Sequence, residues 1–319
     1  MELSMRVNHK EKLIVILGPT AVGKTNLSIQ LAKKLNTEII SGDSMLVYRG
    51  FNIGTAKPTM EEQAGITHHL IDILTPNEEF NVTQFREVAS RKIYEINREH
   101  KVPILAGGTG LYIKSLIEDY RFNETPSDEA YRLNLEELAK LHGKEYVHAM
   151  LQKVDPESAK RLHVNDFRRV IRALEVYHFG GEHISQNKNA EGELAYDAYV
   201  IGLTMERSRL YERINQRVDL MIDAGLVKEV EMLLQQGVAA DCQAMKGIGY
   251  KEIIAYLQGE VSLAFAVDHI KKATRHFAKR QLTWFKKMPY IHWYDVEQVC
   301  LEDVMENVYI DIAGKYSIK

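Results

Sequence analysis

The stretch Leu13-Ile14-Val15-Ile16-Leu17-Gly18-Pro19-Thr20-Ala21-Val22-Gly23-Lys24-Thr25 decides the fold. Five apolar residues rich in β-branched side chains run without a polar break and stop at Gly18-Pro19. Such a run reads as a strand buried on both faces, the habit of parallel sheets. Beyond it Leu27, Leu31 and Leu35 recur at helical spacing, so the unit is strand, glycine-bearing loop, helix. The loop matches G-x-x-x-x-G-K-[ST] in full. Its glycines let backbone N–H groups turn inward around an anion, and the helix that follows adds its positive end. Lys24 supplies a point charge to the terminal phosphate, and the Thr25 hydroxyl can ligate Mg²⁺. A chance match is the alternative, but the pattern sits between a strand and a helix, as the chemistry demands. Gly18, Thr20, Ala21, Val22, Gly23, Lys24 and Thr25 are therefore the candidate anion ligands. The loop alone suggests ATP or GTP without identifying the chemistry.

Working outward, short apolar strands are predicted at 38–41, 70–74 and 102–106, with an amphipathic helix over 82–98. Strands alternating with helices imply a parallel α/β sheet. From 127 to 183 the texture changes to successive helical segments at 128–141, 144–153, 156–162 and 166–179. A strand returns at 196–203, helices follow at 207–224, 227–236, 249–258 and 261–287, and 290–294 reads as a last strand. The expectation is an α/β protein. It has a P-loop NTPase-like parallel sheet core flanked by helices (1–120 with 196–319) and an all-helical insertion domain (121–195). The insertion's hinges are expected near 122–126 and 180–192.

The chain has 319 residues, 45% apolar and 27% charged, ordinary for a soluble globular protein. No apolar run approaches the roughly 18–20 residues that span a bilayer, and the first dozen residues carry no signal-peptide core. Cys242 and Cys300 are too few for a disulfide framework, so a reducing, cytoplasmic setting is expected. The net charge of −3 says little; its distribution says more. Lys271, Lys272, Arg275, His276, Lys279, Arg280, Lys286 and Lys287 fall within 271–287 without an acid among them, a directional positive field. Aromatics interleave there (Phe277, Trp284, Phe285). They fit either base stacking or an ordinary core face.

Asp43 in Ser41-Gly42-Asp43-Ser44-Met45 directly follows the second strand, at the carboxyl edge where open parallel sheets bind ligands. It suits a general base or a Mg²⁺ ligand, and equally a turn cap. Arg209, Arg213 and Arg217 recur every four residues and share a helix face, a pattern that is most often merely solvated. His68-His69 and His142/His148 lack partner ligands at metal spacing and read as structural.

Ser41-Gly42-Asp43-Ser44-Met45-Leu46-Val47-Tyr48-Arg49-Gly50, continued by Asn52-Ile53-Gly54-Thr55-Ala56-Lys57-Pro58, closely resembles the signature of bacterial tRNA dimethylallyltransferases. So do the phosphate loop, Gly107-Gly108-Thr109-Gly110-Leu111-Tyr112, Arg172-Ala173-Leu174-Glu175 and Lys279-Arg280-Gln281-Leu282-Thr283-Trp284-Phe285. These motifs span 18–286 in the family's order. One departure is visible: Leu46 stands where the family usually has Gln.

The resemblance implies transfer of a dimethylallyl group from dimethylallyl diphosphate to the exocyclic amine of the adenosine at tRNA position 37, beside the anticodon, with Mg²⁺ assisting. The loop then holds a diphosphate leaving group, Arg217 joins as a diphosphate ligand, Asp43 is the base, and Thr109 is a second contact near the reaction centre. Without the resemblance Thr109 reads as a turn residue. The target base must be splayed from its stack. By resemblance the tRNA anticodon stem-loop is gripped by Asp43, Ser44, Met45 and Leu46, and by Arg168, Arg169 and Arg172 in the insertion. Lys246, Gly247, Gly249, Tyr250 and Lys251 form a third contact, and Lys279, Arg280, Gln281, Thr283, Trp284 and Lys286 a fourth. The insertion is expected to move as a body on tRNA binding, and the protein to act as a monomer away from membranes. Three competitors stand beside this reading. One is a P-loop small-molecule kinase with Asp72 as its Mg²⁺ acid. The others are the same transfer onto free AMP and a non-catalytic nucleic-acid-binding NTPase.

Overall fold

The computed structural model describes residues 10–118, 125, 128–180, 193–297 and 301–316. The expected hinges lie outside these apart from Thr125 and Gly180, as does Cys300. The chain divides into two compact units, residues 1–118 with 194–319, and residues 119–193.

The larger unit is built on β1 (Lys12–Leu17), whose Leu13, Ile14, Val15, Ile16 and Leu17 are all fully buried. Alternation sends Leu13, Val15 and Leu17 into one apolar layer and Ile14 and Ile16 into the other. The sheet is six-stranded and parallel in every pairing, in the order β3 (His68–His69), β2 (Ile39–Ser41), β4 (Ile104–Gly107), β1, β5 (Asp197–Thr204), β6 (Ile291–Asp295). Helices α1 (Lys24–Leu35), α2 (Met60–Gln63), α3 (Val82–Arg98) and α4 (Gly110–Ile117) belong to the first half of this unit. Its second half carries α9 (Arg207–Asp223), α10 (Leu226–Gln235), α11 (Tyr250–Leu257), α12 (Leu263–Phe285) and α13 (Leu301–Tyr316). The Tyr316 hydroxyl donates to the carbonyls of Leu13 and Asp197, tying α13 to the starts of β1 and β5. Among the described residues no helix is long and apolar enough to cross a membrane.

The sheet is the parallel α/β core that the sequence predicts, with two corrections. The third strand is His68–His69, not 70–74: Leu70 (φ 62°) and Asp72 (φ 54°) adopt left-handed backbone that breaks an extended run. Chain pairing resumes only at Leu74, which bridges Tyr48. Helices α2, α4 and α13 were not anticipated. The signal for α4 is masked because it starts inside a glycine-rich motif.

The second unit comprises α5 (Glu129–His142), α6 (Lys144–Val154), α7 (Pro156–Arg161) and α8 (Phe167–Gly180) around Leu135, Val147, Leu151, Val170 and Leu174. Its buried Glu175 is a hub. Arg132 donates from Nε and Nη2 at 2.8 and 3.0 Å, Asp128 N–H at 2.8 Å, and Arg172 also donates. Burial alone would raise the Glu175 pKa. The bonds from Arg132, Arg172 and Asp128 outweigh it and hold the carboxyl below the ordinary glutamate value.

A carboxyl whose folded pKa is depressed stabilises in full above its unfolded pKa of about 4.3, and loses that contribution as pH falls through the lower folded value. Wild type should therefore melt above Glu175→Gln at neutral pH, and the gap should close as pH drops below about 4. Thermal unfolding followed by circular dichroism at several pH values checks this; a gap that persists at pH 3 speaks against the assignment.

Candidate active site

The phosphate loop leaves β1 at the carboxyl edge of the sheet and ends in α1. Gly23 adopts φ 113° and Ala21 φ 66°, the left-handed turns that wrap backbone N–H groups inward. The Lys24 ammonium donates to the carbonyls of Gly18 and Pro19 at 3.0 and 2.7 Å. Burial pulls its pKa down to about 8; Asp43 works against that shift and Arg217 adds to it. Those two residues thus bracket the ammonium with opposite charges. The Val22 side chain is core.

Lys24, Thr20, Thr25, Ser41, Asp43 and Arg217 line one cavity of about 120 Å³, together with apolar Ile39, Leu46, Ile71 and Phe277. It therefore has a cationic and hydroxylic end suited to phosphate oxygens and apolar walls suited to hydrocarbon. The Asp43 position is fixed by backbone contact. A side-chain carbon on Gly107 would lie 2.3 Å from the Gly42 carbonyl oxygen, so the ends of β2 and β4 touch main chain to main chain. Gly42 N–H donates to Ala106 O at 2.8 Å. Asp43 Oδ1 accepts from Met45 N–H at 2.8 Å, and the Thr109 hydroxyl accepts from Ser44 N–H at 3.1 Å. Asp43 caps a turn and also lines the cavity. Thr109 secures the 43–45 turn and is not among the cavity's lining residues.

The arginine stripe divides. Arg217 reaches the Thr20 hydroxyl at 3.4 Å and Arg213 donates to Ala21 O at 2.9 Å, whereas Arg209, 63% exposed, pairs with Glu212 at 2.8 Å. Burial first, then Arg213, lowers the Arg217 pKa.

A second, open groove of about 490 Å³ runs along α12, lined by His276, Lys279, Arg280, Thr283, Trp284 and Lys287. Lys286 is exposed at the helix end. Lys271 is neutralised by Asp219 of α9 at 2.6 Å, a pairing the acid-free segment could not reveal. Phe285 is fully buried core, while Trp284 lines the groove.

Two expected tRNA contacts are corrected. Tyr250 is fully buried, its hydroxyl on Glu229 at 2.7 Å, so it is a core residue. Gln281 is 5% exposed with its amide engaged at both ends, so it braces loops and presents nothing to a surface ligand. Lys246 and Lys251 remain outward, and Gly247 packs against Met45, where a side-chain carbon would come within 2.7 Å of Met45 Cε. Gly249 opens α11, and its N–H donates to Glu252 at 2.8 Å. Arg168 and Arg169 are exposed on α8 in the helical unit, and Arg172 is bound to Glu175 and Thr125 O.

The roles of three residues were missed. Glu229 is buried and accepts from the N–H groups of Asn52, Ile53 and Gly54, holding the 51–57 segment. The signal was available, since Glu229 sits on the same face as the buried Leu226, Val230 and Leu233. Phe277 and His68 line the cavity. His68 Nδ1 is 2.8 Å from Ile66 O, while His69, as a structural reading requires, pairs with Glu38 at 2.6 Å. Asp72 pairs with Lys57 at 2.5 Å and is not among the residues that line the cavity.

A family model described as IPP transferase matches residues 46–288. A tRNA dimethylallyltransferase of Bacillus anthracis is 54% identical over 289 residues, covering 90% of this chain and 92% of the relative. The crystal structure of a full-length tRNA isopentenylpyrophosphate transferase from Bacillus halodurans superposes with a TM-score of 0.73 at 46% identity. That match covers 96% of this chain and 97% of the other. A eukaryotic dimethylallyltransferase acting on tRNA gives a TM-score of 0.76 at 29% identity, covering 94% and 80%.

The split stripe yields a differential test. A charge-assisted contact contributes about 1.5–3 kcal/mol, so Arg217→Gln should weaken inorganic diphosphate binding roughly 10- to 100-fold, and Arg209→Gln by less than about twofold. Isothermal titration reads both; equal effects would remove Arg217 from the site.

Proposed function

The chain belongs to the IPP transferase family, and from that premise we propose that it transfers a dimethylallyl group from dimethylallyl diphosphate to the exocyclic amine of adenosine at tRNA position 37, releasing diphosphate. The observation that carries this reading is the convergence of Lys24, Arg217 and Asp43 on one cavity that has both an anion cradle and apolar walls.

The reaction forms a bond from the amine nitrogen to the allylic carbon and breaks that carbon's bond to the diphosphate oxygen. Charge develops on the leaving oxygen, where Lys24, Arg217 and the loop N–H groups not already bonded within the protein would receive it. The proton displaced from the amine passes to the Asp43 carboxylate, whose turn is held by Met45 N–H. Ile39, Leu46, Ile71 and Phe277 shield the allyl group from water. The oxygens near the cradle are hydroxyls and one carboxylate (Thr25, Ser41, Asp43), a small hard set that fits Mg²⁺, which keeps several waters and rides on phosphates. Bound there on Thr25, Mg²⁺ would add positive charge to the leaving group.

The acceptor is tRNA. Its backbone would follow the α12 groove, where Lys279 and Arg280 meet phosphates and Trp284 offers a ring for stacking. Lys246 and Lys251 extend that charge, and Arg168 and Arg169 supply it on the helical unit. A monomer working in the cytoplasm suits this role.

Purified protein with Mg²⁺, dimethylallyl diphosphate and unmodified tRNA should add one dimethylallyl group to adenosine 37, read by mass of the nucleosides. Asp43→Ala should slow transfer by about 10²–10⁴-fold with diphosphate binding largely kept. ATP consumed and a phosphorylated small molecule formed, with no transfer, would move the assignment to a kinase.

A further inference from the structure

Helix α12 borders two places at once. Lys279, Arg280 and Trp284 line the groove, while Phe277 and Gln281 line the cavity of the phosphate loop. Gln281 is buried, and its amide is engaged at both ends. Oε1 accepts from Thr20 N–H at 2.9 Å, and Nε2 donates to Gly108 O at 2.9 Å. One side chain therefore joins the groove helix, the phosphate loop and the loop after β4. Two glycines make that approach possible. A side-chain carbon on Gly108 would lie 2.3 Å from Gln281 Nε2, and one on Gly110 2.5 Å from Trp284 Cδ1. The helix is also strutted to α9, the bearer of Arg217, by Arg275 to Asn215 at 2.6 Å.

We propose that Gln281 is a positioning residue that couples the two sites, so that RNA held on the outer face of α12 tightens the grip of the phosphate loop on a diphosphate. The proposal rests on the reading of the groove as the tRNA contact. RNA phosphates on Lys279 and Arg280 steady the helix, and the helix steadies Gln281 over Thr20 and Gly108. A loop already ordered when the anion arrives loses less conformational freedom on binding it. Linkage makes the effect mutual: diphosphate tightens RNA by the same factor.

The test is isothermal titration of the full chain with inorganic diphosphate and Mg²⁺, with and without a synthetic anticodon stem-loop RNA. Wild type should bind diphosphate about 5- to 50-fold more tightly in the presence of RNA. Gln281→Met keeps the volume and loses both hydrogen bonds. Its ratio should fall to within about twofold of one, with affinity for RNA alone unchanged. Gly108→Ala retains the glutamine but displaces its amide, and should lose the coupling in the same way. A purely structural role would lower melting temperature and both affinities while leaving the ratio intact, and that outcome overturns the proposal. So does a wild-type ratio of one with both ligands bound. A wild type that binds no RNA would instead remove the groove assignment beneath it.

Discussion

Lys24 holds an ammonium half-buried beside the phosphate loop, and the carboxyl edge of the sheet is arranged around that constraint. An isolated buried cation is costly, and the protein answers it with the carbonyls of Gly18 and Pro19 and the nearby Asp43 carboxylate. The compensation is partial, because Arg217 presses a second positive charge on the same spot. The site is therefore short of negative charge, which a bound anion would supply. Asp43 opposes the excess without cancelling it.

Close backbone approach does the positioning. Gly42 meets Gly107 main chain to main chain, and the two following turns are sewn together by Ser44 and Thr109. Side chains on long stems would place a carboxylate loosely; adjacent strand ends in a parallel sheet hold the Asp43 turn by main-chain hydrogen bonds. The same economy appears at Glu229, where one carboxylate accepts three successive N–H groups and a tyrosine hydroxyl, and thereby shapes the segment that walls the cavity.

The sequence disclosed what is local. The strand, loop and helix around Lys24 are contiguous, and their chemistry is written in consecutive residues. The insertion announced itself because four helical periods follow one another without strand-like sequence. What stayed hidden is what long-range contact decides. Tyr250 and Gln281 look like surface ligands in a motif, yet Glu229 takes the one into the core and Gly108 takes the other into a brace. Lys271 seemed to belong to an uncompensated stripe until α9 brought Asp219 beside it. Leu70 and Asp72 carry strand-forming neighbours, and their left-handed backbone is imposed by the 46–57 segment, to which Asp72 is tied through Leu46 O and Lys57.

The central place of β1 has a consequence for synthesis. Its partner β5 ends some 190 residues further along the chain, an interval on the order of ten to forty seconds at about 5–20 residues per second. Until then one edge of the most apolar strand lacks its mate, and Tyr316 fastens the finished pair later still. An open apolar edge is an invitation to mispairing. The helical unit emerges during that interval with its own apolar cluster, and so can collapse on itself without competing for the strand. Placed there, the insertion lengthens the wait of β1 for β5 but can bury its own apolar residues in the meantime.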